Sequence, residues 1–453
     1  SRSRHFWLTL TCLAGVMLIL FSQSFRKNST LFSNDAPLGA ISSQADYAWS
    51  NYLGAWQHLN WIGSRLVSSP PNITNTLYLL LGAVPFSKFY APIALILLGL
   101  SAWLLLKQLS LSPTVCVFGA LAIALNTDPF SYACWGLASL TLTMADYVLA
   151  LAALTRMQGP GSWLRTALAG IAVGLGIMEG YDNGAIFSLY VAAFALFQSW
   201  NQNAGSAGSR IARGFGHVAV VAAFAVLTSA HTLSALIETQ IKGVVGMQQD
   251  QKTRQDRWNE ATQWSLPKIE TLRVVIPGLY GYRMDTADGG NYRGSVGQTP
   301  GWEEHHQGYP RHSGAGVYAG VLVILIAGWS LAQSCRGAKS SYTAPERRFL
   351  WFWGAMALIS LLLAFGRHAP FYQLLYALPY FSTIRNPIKF IHPFSVAVLV
   401  LFAQGLHDLL RRTLTGPAPR STSLSAHLKS WWTTVKDFDR KWAIGSASVL
   451  AFS

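Results

Sequence analysis

Three groups of residues in this chain have types and spacings that could do chemistry. The first is Phe32-Ser33-Asn34-Asp35-Ala36-Pro37-Leu38-Gly39, where an acid closely follows an apolar run and precedes a Pro and a Gly that fix a turn. A carboxylate held there at a membrane surface can act as a general base or a metal ligand, and the same residues also suit a plain Asx turn. The second is Gly176-Ile177-Met178-Glu179-Gly180-Tyr181-Asp182-Asn183-Gly184, with two carboxylates three residues apart between two apolar stretches. Asp is favoured as a helix N-cap, which would account for Asp182 and leaves Glu179 unexplained. The third is Phe381-Ser382-Thr383-Ile384-Arg385-Asn386-Pro387-Ile388-Lys389-Phe390. Here a guanidinium, an ammonium and free backbone N–H groups meet at a helix start, which is the chemistry of a phosphate site. Arg and Lys also snorkel to membrane interfaces for reasons unrelated to any ligand.

Other residues carry thinner signals. After Asp35 come Asp46, Tyr47, Trp49, Trp56, His58, Trp61 and Arg65. Trp56 and His58, beside Gln57 and Asn60, suit a sugar-stacking surface, and aromatics also gather at membrane interfaces whatever the function. Asp128 in Asn126-Thr127-Asp128-Pro129 fits a turn. Asp146 lies inside an apolar run near Thr141 and Thr143, either hydrogen-bonded to a neighbouring helix or serving as the buried acid of a transporter. Glu303-Glu304-His305-His306 with Tyr309, Arg311 and His312 is rich in metal-ligand types and lacks His-Glu-x-x-His spacing. Asp285-Thr286-Ala287-Asp288-Gly289-Gly290-Asn291 lacks the alternating acids of a calcium loop. Gly174-x-Gly176-x-x-x-Gly180 misses dinucleotide spacing and suits helix packing. Cys12, Cys116, Cys134 and Cys335 show no zinc spacing and no outer-face pair for a disulfide. No cofactor is expected, and a divalent metal has no motif to support it.

The elements that must position these groups are membrane helices. Charged residues make up 12% of the 453 and apolar ones 51%, with a mean hydropathy of +0.30, against about 25% charged in soluble proteins. The apolar residues fall in blocks of the length that crosses a hydrocarbon core. This disfavours a disordered chain, a nucleic-acid-binding domain and a cytosolic enzyme. The pattern predicts an all-α polytopic membrane protein with helices at about 6–22, 89–106, 113–127, 131–154, 165–178, 184–200, 216–237, 315–333, 349–365 and 388–407, and an eleventh opening at Trp442. With the N-terminus in the cytoplasm, 18 of the 34 Lys/Arg and only four of the 19 acids fall on the inner side. The +15 net charge is thereby mostly a positive-inside signal. Both long loops, 23–88 and 238–314, then lie outside, so chemistry is expected on the outer face. The predicted organisation is a helical domain over 1–407, a basic cytoplasmic linker over 408–441 and a further helix from 442 in a chain cut at Ser453. A polar stretch from Gln248 to Trp264 suits a surface helix.

The acid at Asn34-Asp35 in a long first loop, the run of short-looped helices, the acid-bearing turn at Glu179 and the Arg385-x-Pro387-x-Lys389-Phe390 element together resemble the bacterial YfhO-like membrane proteins. These belong to the polytopic GT-C glycosyltransferases. The resemblance implies a polyprenyl-phosphate-linked sugar donor, inverting transfer at the outer face of the bacterial cytoplasmic membrane, Asp35 as the catalytic acid of the first loop, and Arg385 with Lys389 at the donor phosphate. Glu179 would share the catalytic work, and Asp182, Trp56 and His58 would line the substrate site. The first loop departs from the class in lacking an Asp-x-Asp or Glu-x-Asp pair, so metal dependence does not follow. A transporter or flippase of lipid-linked glycans and a non-catalytic scaffold subunit remain as alternatives.

Overall fold

A computed structural model describes residues 2–45, 72–202, 205–237, 251–282, 291–308, 316–378, 381–414 and 437–452, together with a few positions in 49–65 and 432–435. Its long helices are α1 (Arg2–Leu20), α2 (Ile73–Leu81), α3 (Ala83–Gln108), α4 (Pro113–Ala124), α5 (Thr127–Trp135), α6 (Ala138–Leu154), α7 (Ser162–Gly180), α8 (Asp182–Gln202), α9 (Ala207–Leu236), α10 (Gln251–Ala261), α11 (Val321–Ser334), α12 (Ala344–Ala364), α13 (Ile391–Leu414) and α14 (Asp437–Phe452). A two-residue antiparallel pairing of Trp56–Gln57 with Ser64–Arg65 is the β-structure among the described residues.

The chain is an all-α polytopic membrane protein. Among the described residues four helices are long and apolar enough to cross a membrane, five if the bent pair α4–α5 counts as one span, and α1, α6 and α11 are shorter apolar helices. The segment Pro387–Arg412 runs through the middle, with 89% of its apolar window buried, whereas α9 and α12 bury 28% of theirs and present the rest to lipid. Because lipid is as apolar as the helices, close packing must hold them together. Gly170 and Gly174 provide it between α7 and α9: a Cβ on either would lie 2.6 Å from Val221 O or from Thr228 Cβ.

Several predicted helices differ in extent: α9 starts at Ala207 rather than 216, and three further differences bear on how the bundle is built. The run 131–154 is two helices, because Gly136 takes a left-handed conformation (φ 103°) and ends α5 after Trp135. The helix predicted from 315 begins at Val321, since Gly320 takes a positive φ of 99° and Tyr318 exchanges hydrogen bonds with Thr127. The last central helix continues past 407 to Leu414.

Loops that the charge count places on one side gather at one end of the bundle. Ser112 N–H reaches His407 Nδ1, Met157 N–H reaches Gln202, and Ser341 reaches Asp408 at the basic end. Asp35, Glu179, Asp182 and Lys389 share the other end.

Candidate active site at the acidic end of the bundle

Asp35 is held by a residue 100 positions away. Its backbone N–H donates to Trp135 O at 3.0 Å, and the Trp135 indole N–H donates to Asp35 Oδ1 at 3.1 Å. The turn itself is closed by Ser33, whose hydroxyl donates to Ala36 O at 2.7 Å. The Asp35 side chain is therefore spared the work of an Asx turn and stays exposed. Gly136 makes this docking possible twice over, by its positive φ and by having no Cβ, which would stand 2.6 Å from Ala36 N.

Glu179 closes α7 and is 6% exposed. Its Oε1 accepts the Thr74 N–H at 3.0 Å and its Oε2 accepts the Thr74 hydroxyl, which also bonds Tyr90. This carboxylate thus ties the start of α2, in the first long loop, to the end of α7. Asp182 opens α8 and takes the Lys389 ammonium on Oδ2. Lys389 is placed by pairing with the second long loop: Asn386 N–H donates to Ala261 O at 2.8 Å and Ile388 N–H to Trp264 O at 2.9 Å. That loop is braced by Arg367, which donates to Gln263 O and Gln298 O. It is also braced by buried Glu270, which accepts from Arg273, Tyr292 and Ser295.

Asp35, Glu179, Asp182 and Lys389 line one cavity of about 350 Å³, along with the aromatic residues Tyr132, Trp135, Tyr181 and Trp264. Three carboxylates face one ammonium, and the aromatics supply apolar surface. Hydroxyl groups that donate to carboxylates and a ring that packs on aromatics are the properties of a sugar. An anion entering the cavity must compete with Asp182 for Lys389. Of the four non-glycine residues with positive φ among the described ones, Tyr181 (φ 39°) and Asn386 (φ 64°) both line this cavity. Strained backbone collects at functional sites.

The predicted pair Arg385 and Lys389 is separated. Arg385 lies at the surface in an ion pair with Glu260 at 2.8 Å, the two side chains 61% and 64% exposed, and it does not line the cavity. The physical reason is the left-handed Asn386 and the short helical turn Pro387–Phe390, which give the two side chains directions that a regular helix would not. His58 lies outside the described residues, as do Asp46, Tyr47, Trp61, Asp285, Asp288, Tyr309, Arg311 and His312. For Trp56 the description extends to the backbone pairing with Arg65. Among the described residues no three His, Cys, Asp or Glu side chains form a group able to hold a metal ion.

Two acids that the sequence marks as a turn residue and as a buried acid lie outside the residues lining this cavity. Asp128 Oδ2 lies 2.8 Å from His392 Nδ1, with the two side chains 2% and 1% exposed, and Tyr132 meets the imidazole edge-on. Asp146 is 2% exposed and its Oδ2 has no hydrogen-bond partner. Thr143 donates instead to Ser139 O and Thr141 to Pro129 O, so the threonine neighbourhood does not satisfy the acid. The Trp135 anchor did have a signal, because Gly136 in Trp135-Gly136 is a helix C-cap residue.

Fold and cavity define a polytopic helical membrane protein with a carboxylate-lined site at one end of its bundle. No known protein-family model and no curated protein matches the chain. Among solved structures it is similar to the archaeal oligosaccharyltransferase AglB from Archaeoglobus fulgidus in complex with an inhibitory peptide and a dolichol-phosphate. The identity is 14% and the TM-score 0.44, over 98% of this chain and 56% of that one. The chain spans about half the length of that structure.

Proposed function

We propose that this protein is an inverting membrane glycosyltransferase that moves a sugar from a polyprenyl-phosphate-linked donor to an acceptor at the outer face of a bacterial cytoplasmic membrane, with its N-terminus in the cytoplasm. The observation that carries the reading is the convergence of Asp35, Asp182 and Lys389 with four aromatics on one cavity. Asp35, with Oδ1 fixed by Trp135, takes the acceptor hydroxyl proton on its other oxygen as general base. The acceptor oxygen bonds to the anomeric carbon as the bond to the donor phosphate breaks. Lys389 exchanges Asp182 for the departing phosphate and stabilises its charge. Glu179 holds the first loop in place through Thr74. Arg385, paired with Glu260 at the surface, contributes at most a long-range attraction for the anionic donor.

The transporter or flippase reading draws on Asp146, the buried acid with an unpartnered oxygen, because ionisable groups inside a membrane mark ion and proton paths. The test is transfer in proteoliposomes from a panel of radiolabelled polyprenyl-phosphate hexoses and N-acetylhexosamines. Incorporation of label into a non-donor product is the expected result. Label that crosses the bilayer without leaving its carrier would replace the transferase reading with the flippase reading.

A further inference from the structure

We infer that the basic end of the bundle carries a second site, which binds an uncharged polyhydroxyl group. A cavity of about 240 Å³ lies there, bounded by the carboxamides of Gln108 on α3, Gln198, Asn201 and Gln202 on α8, and Gln404 on α13. That volume is many times the roughly 10–15 Å³ that one water needs, room for a small polyol rather than one ion. Five carboxamides from three helices are costly to gather at a membrane boundary unless something uses their hydrogen bonds.

The fold uses only some of them. Gln202 is fully engaged, donating to Thr155 O and to Gln198 Oε1 and accepting the Met157 N–H. Asn201 Oδ1 is buried with no partner. Gln108 and Gln404 make no side-chain hydrogen bond to any described residue, and both line the cavity, one from α3 and one from α13. A carboxamide both donates and accepts while carrying no charge, and a sugar hydroxyl does the same, so the two match pairwise. No Lys or Arg lines the cavity, which argues against a phosphate. The one charged residue on its wall, Glu346, already accepts the Thr343 N–H and hydroxyl on Oε2. Phe349 adds an aromatic wall on which the C–H face of a sugar can pack. The polyol is either the headgroup of a glycolipid in the adjoining leaflet or a free sugar.

Two probes separate these sources. The protein is placed in phosphatidylcholine nanodiscs with diglucosyl diacylglycerol or, as a blank, diacylglycerol, and retained lipid is measured by native mass spectrometry. Free methyl glucoside is tested on the same nanodiscs by saturation-transfer NMR. Retention of the glycolipid alone assigns a lipid headgroup, and a glucoside signal as well assigns a free polyol. Gln404→Leu and the double variant Gln108→Leu/Gln404→Leu remove no bond of the fold. The double variant is expected to weaken whichever probe binds by about tenfold or more, roughly two neutral hydrogen bonds. Glu303→Gln, on the exposed outer loop, is expected to bind like the unaltered protein. The inference is overturned if the unaltered protein retains neither probe, or if the double variant, with an unchanged melting temperature, retains them equally well.

Discussion

Replacing Gly136 by Ala tests the docking of Asp35 without touching any group proposed to do chemistry. The added methyl faces two penalties. At φ 103° an L-residue pays about 1–2 kcal/mol for the left-handed backbone. The new Cβ would also stand 2.6 Å from Ala36 N and 3.0 Å from Ala36 Cβ, and such overpacking costs about 1–3 kcal/mol if nothing moves. The obstacle is backbone, so relief requires the Asn34–Ala36 segment to withdraw by several tenths of an ångström or more. Withdrawal stretches the 3.0 Å bond to Trp135 O and the 3.1 Å bond to its indole. A displacement near 1 Å costs about 10²-fold in rate. Gly159→Ala is the matched control, since Gly159 has φ 84° and open space where its Cβ would go. It carries the backbone penalty alone, far from the cavity. Transfer in proteoliposomes and thermal unfolding in detergent are measured for both. The expected result is a larger loss of stability for Gly136→Ala than for Gly159→Ala, with a loss of transfer confined to Gly136→Ala. Equal transfer by the two variants would refute the claim that this contact places Asp35.

Other expectations follow from the same geometry. Lys389→Gln should raise the donor KM, provided chemistry is slow relative to donor release. Arg385→Gln, which breaks an exposed ion pair with Glu260 worth about 0–1 kcal/mol, should leave stability nearly unchanged and affect KM less than Lys389→Gln. Steady-state kinetics over a donor series compares the two. His392→Leu removes the buried hydrogen-bond partner of Asp128 and should destabilise the protein by about 1–3 kcal/mol or more, the cost of stranding a buried polar group. The double variant Asp128→Leu/His392→Leu should recover much of that loss in thermal unfolding. Single cysteines at Glu303 and Arg420 should react with impermeant maleimide only from outside and only from inside, respectively; both reacting from one side would end the assigned topology.

Helix positions and the two-ended arrangement of loops were legible in the sequence because hydropathy and Lys/Arg placement act locally. That Asp35, Glu179 and Asp182 share one end of the bundle with Lys389 follows in sequence from helix ends that the charge count places on one side; the same reading also put Arg385 there. What each of them touches was not legible, because Trp135, Thr74 and Glu260 are brought in by tertiary packing. Glu179 reads in sequence as a free acid, yet both of its oxygens are occupied by one threonine 105 positions earlier. Arg385 and Lys389 read as a pair, and one left-handed asparagine between them separates their partners. Apolar residues on both sides of Trp135-Gly136 hid the helix break in hydropathy, although the glycine marked it. The Asp128–His392 pair joins residues 264 apart and has no local signature.

The most direct test of the central claim is the rate of sugar transfer by Asp35→Asn in proteoliposomes, with folding verified by thermal unfolding. Asparagine keeps the volume and can still accept the Trp135 indole N–H, but it cannot take a proton from the acceptor. The account requires a loss of about 10²- to 10⁴-fold with the melting temperature little changed. A folded Asp35→Asn protein that transfers sugar at the unaltered rate would contradict it.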